Sequence, residues 1–233
     1  MLASTLTLRQ IHLFSECDEA TLLRISAQCQ WRDVAAKTPV FTRHSSGHEV
    51  YFLLSGQVRI TTYSAQGREV AFRDYLPGEH FGDLSAIDGQ QRSADVLAMQ
   101  DSQLVSMSST QFRQLLAQEP QLAMRMLRHL TAMVRQLTER VLELSNWGVA
   151  TRLHVELLRL ASHIAPDGSA SIEPAPTQAA LASKISATRE QVAREFSALI
   201  KSGVLRKSGT RALHIRQVHD LQQLVDAATQ SPV

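Results

Sequence analysis

Residues 81–96 read FGDLSAIDGQQRSADV, a glycine turn and a carboxylate followed, ten positions after Gly82, by Arg92 and Ser93. These side chains can hold a ribose and a cyclic phosphate together. A phosphodiester monoanion is bound best by a guanidinium fork with short hydroxyl and backbone N–H donors, and a ribose hydroxyl by a carboxylate. Arg92 and Ser93 supply the first set and Asp83 the second, while Gly82 lets the backbone approach a ligand with no Cβ in the way. A plain β-turn followed by a surface arginine would give a similar string; the four residue types together favour the ligand-binding reading.

A second constellation lies near the C-terminus. TQAALASKI reads as a short helix capped by Thr177, and Ser186-Ala187 as a turn. TREQVAREFSALIKSG then reads as a new helix, opened by a capping box of Thr188 and Gln191 and stopped at Gly203. Two short helices across a tight turn form a helix-turn-helix, and VLRKSGTRALHI behind them is a hairpin with a Ser-Gly turn, a wing. Arginines such as Arg189 and Arg194 can fork onto guanine O6 and N7, and Glu190 can accept from cytosine N4. At the helix N-terminus these side chains, with Thr188 and Gln191 beside them, meet base edges first. Lys201, near the helix end, and Arg211, near the wing turn, suit phosphates. Glu190 and Arg194, four apart, also suit a surface ion pair worth a few tenths of a kcal/mol.

Elements must hold both constellations in place. From Pro39 to about Met107 short β-branched and aromatic runs alternate with glycines, the pattern of a small antiparallel barrel or sandwich. Ahead of it SECDEATLLRISAQC is helical, with Ser15 and Asp18 as a capping box and Leu22, Leu23 and Ile25 as its apolar stripe. A long helix follows from Gln121 to Leu144. In it Leu127, Leu130, Val134, Leu137, Val141 and Leu144 alternate spacings of three and four, a narrow seam that wants an identical partner helix. GVATRLHVELLRLASHI is a further amphipathic helix, and APDGSASIEPAP reads as loop. The fold class expected is α+β, divided into a β-barrel domain over 1–118, a dimerisation helix over 119–146 and a winged helix-turn-helix over 147–233.

Charge supports that division. Between Ala175 and Arg216 eight basic residues face only Glu190 and Glu195, a net +6, which leaves −4 for the rest of a chain of formal charge +2. Such asymmetry belongs to nucleic-acid binders. Cys17 and Cys29, the only cysteines among 233 residues, form neither a C-x-x-C pair nor a disulfide framework. No run reaches the length of a membrane span and no signal peptide is evident, so a cytoplasmic location and no membrane are expected. No G-x-S-x-G, H-E-x-x-H or P-loop is present, so an enzyme is not expected.

Cassette, long helix and winged helix-turn-helix, in that order, resemble the family of the cyclic-AMP receptor protein and the fumarate and nitrate reduction regulator over nearly the whole chain. The resemblance implies that the cassette residues Gly82, Asp83 and Leu84 bind ribose and that Arg92 and Ser93 bind the cyclic phosphate. Asp83 stands where the family has glutamate, one methylene longer. The family's Arg-Glu with an arginine four residues after the glutamate is matched by Arg189, Glu190 and Arg194, which implies a half-site similar to TGTGA. Its adenine-contacting Thr-Ser pair falls on Leu137 and Thr138, so Thr138 alone keeps a hydroxyl for the base. The implied function is a homodimeric transcription regulator on palindromic DNA, switched by a cyclic purine mononucleotide, cyclic AMP or cyclic GMP, with RNA polymerase as a further partner. Cyclic di-GMP, no ligand, or service as a nucleotide-binding regulatory subunit of an enzyme are the alternatives. No cofactor or metal is expected: an N-terminal cysteine cluster for iron–sulfur is missing, and His44, His48 and His80 read as surface or core residues rather than haem ligands.

Overall fold

The computed structural model describes residues 6–63, 69–161, 164–208 and 212–229. The chain divides into two units, residues 1–133 and 134–233. In the first, α1 (Glu19–Ala27) precedes β1 (Gln30–Val34), β2 (Pro39–Phe41), β3 (Val50–Ser55), β4 (Val58–Tyr63), β5 (Glu69–Tyr75) and β6 (His80–Phe81). Then come α2 (Asp83–Asp88), β7 (Asp95–Ala98), β8 (Ser102–Met107), α3 (Ser109–Gln118) and α4 (Pro120–Asn146), which runs on into the second unit. The strands form two four-stranded antiparallel sheets, ordered β1-β8-β3-β6 and β2-β7-β4-β5.

The sequence VYFLL in β3 is apolar throughout because both faces of that strand are covered. Val50 and Phe52 point to a helical layer with Leu8, Phe14, Leu22, Ile25, Phe112, Leu122 and Met126. Tyr51 and Leu53 point the other way, to an interior shared with Val34, Val58, Tyr75, Phe81, Val96 and Leu104. Successive strand residues face opposite sides, so one strand anchors two cores. The sheet architecture extends the expected barrel by β1, which QWRDV conceals because four of its five residues are exposed.

Asp18, rather than Ser15, caps α1: its carboxylate accepts from the Thr21 N–H at 2.8 Å. Ser15 instead donates to the His12 carbonyl, closing a 3₁₀ turn that occupies the backbone just ahead of the helix. Leu22 and Ile25 are buried as expected, whereas Leu23 is turned to solvent.

The second unit takes the rest of α4 and continues with α5 (Val149–Leu160), β9 (Ala170–Ile172), α6 (Gln178–Lys184), α7 (Arg189–Lys201), β10 (Leu205–Ser208), β11 (Ala212–Ile215) and α8 (Val218–Thr229). Strand β9, inside the segment expected as loop, pairs with β11 to make a three-stranded sheet ordered β10-β11-β9. Its three residues are too few to show a period in sequence, but Ala170 and Ile172 are buried with Ser171 exposed between them. Leu153, Leu157, Leu181, Val192, Phe196, Leu213 and Leu221 close the core of this unit.

Candidate functional site

The cassette turns on Gly82. Its φ of +77° is a left-handed conformation, and a Cβ there would lie 2.7 Å from Arg92 Nη1 and 2.9 Å from the Glu49 carbonyl. Glycine is required on both counts. The carbonyl of Gly82 and the hydroxyl of Ser85 accept from Arg92 Nη1 at 3.1 and 2.7 Å, and Nη2 donates to Glu49 Oε2 at 3.2 Å. The guanidinium also lies 4.1 Å over the ring of Phe41. Arg92 is thus 3 % exposed, with its Nε–H left without a partner. Burial lowers its pKa, opposed by Tyr51, Glu49 and Asp83. A guanidinium lowered from so high a starting value still keeps its charge.

Asp83, the first residue of α2, is 4 % exposed and its Oδ2 has no hydrogen-bond partner. Burial raises its pKa, while its own N–H, His129, the Leu84 N–H and Arg92 pull the other way. His80 and His129 stand beside it, their rings 4.5 Å apart. Burial pushes His80 down to about 3, with His129 adding to the shift, so its imidazole is neutral at physiological pH.

Gly82, Asp83 and Arg92 are therefore brought together, and Glu49, Ser85, Phe41 and Tyr51 join them. Ser85 was within reach of sequence, being one helical turn after Gly82. Glu49 and Phe41 lie more than forty residues from Arg92 and carry no spacing signal. Leu84 and Ser93 are exposed. Thr138 lies on the exposed face of α4, in the second unit, where its hydroxyl donates to the Val134 carbonyl at 3.0 Å. A cyclic nucleotide fits the residues of the cassette, because the buried Arg92 Nε–H and Asp83 Oδ2 lack, respectively, an acceptor and a donor that a phosphate and a hydroxyl would supply.

In the second unit the expected helix pair is present. The Thr177 hydroxyl accepts from the Ala180 N–H at 3.1 Å to start α6, and Ser186, with φ 53°, makes the left-handed turn. At the start of α7 the Gln191 N–H donates to Thr188 Oγ1 at 3.2 Å and the Thr188 N–H donates to Gln191 Oε1 at 2.8 Å. Val192, Phe196 and Leu199 face the core. The opposite stripe, Glu190, Arg194, Ser197 and Lys201, is exposed, as is Arg189. A shallow groove runs along it between Ala193, Arg194, Ser197, Ala198 and Lys201. The Glu190 carboxyl is held below its usual range first by its own N–H and the Thr188 hydroxyl, with Arg189 and Arg194 contributing, so it is an anionic acceptor. Strands β10 and β11 form the hairpin read as a wing, and Arg211 lies outside the described residues. Arg206 and Lys207, absent from the expected contacts, are exposed on β10.

A cyclic nucleotide-binding domain is matched over residues 31–119 and a Crp-like helix-turn-helix domain over residues 151–224. The chain belongs to the cyclic-AMP receptor protein and fumarate and nitrate reduction regulator family: it is a transcription regulator with a cyclic-nucleotide-binding domain and a DNA-binding helix-turn-helix. It is 25 % identical over 203 residues to a CRP-like cAMP-activated global transcriptional regulator of Mycobacterium tuberculosis, covering 86 % of this chain and 91 % of that one. It is 28 % identical over 190 residues to the cyclic AMP receptor protein of Thermus thermophilus, covering 80 % and 83 %. In fold it is similar to a CooA mutant from Carboxydothermus hydrogenoformans (TM-score 0.74, 18 % identity, covering 90 % and 91 %). It is also similar in fold to the c-di-GMP responsive regulator CLP of Xanthomonas campestris (TM-score 0.68, 22 % identity, covering 84 % and 98 %). No described helix is long and apolar enough to cross a membrane.

Proposed function

We propose that this regulator works as a homodimer on palindromic DNA and that a cyclic purine mononucleotide, cyclic AMP in the first instance, sets its DNA affinity. The observation that carries this reading is the buried, partly satisfied Arg92. A guanidinium 3 % exposed is held by Glu49, which is itself 45 % exposed at its side chain and so is a replaceable counter-ion. A cyclic phosphate takes the place of Glu49 on Arg92, with Ser93 as a further donor, while Asp83 takes the ribose hydroxyl. Thr138, from the family pattern, is the base contact.

In this reading residues 1–118 sense the ligand, 119–146 dimerise and 147–233 read DNA. Leu127, Val134, Leu137, Val141 and Leu144 support the second role, being 40–62 % exposed along one face of α4. A ligand that prefers one arrangement of the dimer shifts the separation of the two recognition helices, and by linkage DNA shifts ligand affinity equally. RNA polymerase is the partner expected of the DNA-bound dimer. The likeness to CLP supports a second reading, in which cyclic di-GMP is the effector on the same scaffold.

Calorimetry of the purified protein with cyclic AMP, cyclic GMP and cyclic di-GMP tests the proposal. Binding of cyclic AMP, and tighter binding of a palindromic fragment in its presence, is the expected result. Heat from cyclic di-GMP alone would transfer the assignment to that ligand, and no heat from any of them would overturn it.

A further inference from the structure

We propose that His80, Asp83 and His129 form a binding site for a divalent transition-metal ion of the zinc and iron(II) class. This goes beyond the nucleotide reading and touches it at one residue, since Asp83 is also the proposed ribose contact.

Three elements converge there: His80 from β6, Asp83 from α2 and His129 from α4. One ligand atom from each lies within 4.8 Å of the other two. His80 and Asp83 are 5 % and 4 % exposed. Among the described residues, His80 Nε2, Asp83 Oδ2 and His129 Nε2 are buried side-chain atoms with no hydrogen-bond partner. Buried polar atoms are nearly always paired, so three orphans in one cluster indicate a missing common partner. They do not hydrogen-bond one another, whereas a cation between them meets all three.

The donor set decides the class of ion. Two imidazoles and one carboxylate suit zinc, iron(II), cobalt or nickel, while magnesium and calcium require oxygen ligands. Metal–ligand bonds of about 2.0–2.1 Å set ligand atoms about 3.4 Å apart in a tetrahedron, so a shift of about 1 Å at the side-chain tips completes the site. Three protein ligands leave a fourth position for water or an outside ligand. Of the permanent cations that act on His80, Arg73 is itself paired with Glu79. The ion would tie the cassette to α4 and withdraw Asp83 from the ribose, which makes metal and nucleotide antagonists.

The test uses the full chain, freed of metal by a chelator and titrated with Co²⁺, then with Zn²⁺ in competition. One Co²⁺ per chain with visible d–d bands, displaced by Zn²⁺, is expected. His129→Gln and His80→Gln should each weaken binding at least about tenfold. Bands that persist unchanged in both variants, or no bands in the wild type, overturn the site. Should a variant fail to fold, histidine-selective NMR of the wild type replaces it: two of the nine histidines should shift on adding Zn²⁺, and shifts at any other pair overturn the assignment. The metal arm contains no nucleotide, so its failure is separate from failure of cyclic AMP to bind. Saturating Zn²⁺ should weaken cyclic nucleotide binding at least about tenfold, and unchanged affinity overturns the antagonism.

Discussion

At the scale of single residues the cassette is an arginine with a provisional partner. Arg92→Ala should abolish useful nucleotide binding, because the cyclic phosphate then lies without its guanidinium. The loss is about 3–5 kcal/mol, more than about a hundredfold at roughly 1.4 kcal/mol per decade. Calorimetry reads it, and an affinity within about threefold of wild type would remove Arg92 from the site. Glu49→Gln should act in the opposite sense. In the proposed complex the carboxylate competes with phosphate for the same Nη2, and a half-exposed ion pair is worth about 0.2–1 kcal/mol, so binding should tighten about 1.4- to fivefold. Unchanged or weaker binding in Glu49→Gln would show that this carboxylate is no competitor. Arg92 was legible as a candidate phosphate ligand from its neighbours in the string; its Glu49 counter-ion was not, since nothing in the order of residues links positions 49 and 92.

At the scale of elements, the roles proposed for α7 separate reading from anchoring. Arg189 and Arg194 lie toward its N-terminal end and Lys201 at its last residue. Alanine at either arginine should cost about 1–3 kcal/mol per half-site and relax preference at one base pair. Lys201→Ala should weaken all sequences alike and lower the salt slope by about one unit. Selection from a randomised palindrome library at two salt concentrations distinguishes them; identical base profiles would overturn the assignment of α7. The joint between α4, α5 and α6 depends on Glu143, which is 6 % exposed and accepts from Arg140 at 2.8 Å and from Arg159. Arg140 also donates to the Lys184 carbonyl. Burial works to raise the Glu143 pKa, but the two arginines outweigh it and hold the carboxyl below its ordinary 4.5. A depressed folded-state pKa gives stability that is present above the unfolded value and lost as pH falls through the folded one. Glu143→Gln should therefore destabilise by about 1–3 kcal/mol at neutral pH, discounted because Arg159 is half exposed, and the difference should shrink below pH 4.5. Urea unfolding at several pH values checks it.

For the whole molecule, the proposed dimer rests on the exposed face of α4. Burying a Val or Leu side chain is worth about 1.5–3 kcal/mol, and a charge at the same place is costly. Val134→Glu combined with Val141→Glu should shift sedimentation equilibrium from dimer to monomer, with a dimer dissociation constant raised more than about a hundredfold. A variant that stays dimeric would place the interface elsewhere. The dimer should also prefer half-sites centred about 34–36 Å apart, one turn of DNA, which footprinting on spaced operators measures.

What the sequence alone determined was whatever its local order encodes. Periods of two and of three to four, capping pairs such as Thr188 with Gln191, and the cassette string are set by neighbours along the chain, and the family follows from their order. Tertiary structure decided the rest: that Arg92 is buried against Glu49 and Phe41, that Glu143 collects two arginines, and that His80, Asp83 and His129 share one cluster. Arg140 lies one helical turn before Glu143 on α4, but Arg159 with Glu143, Glu49 and Phe41 with Arg92, and His129 with His80 and Asp83 are joined across separations that follow no period. Only the packing of strands and helices within each unit brings them together, and burial there changes their chemistry by removing the water that would otherwise satisfy them.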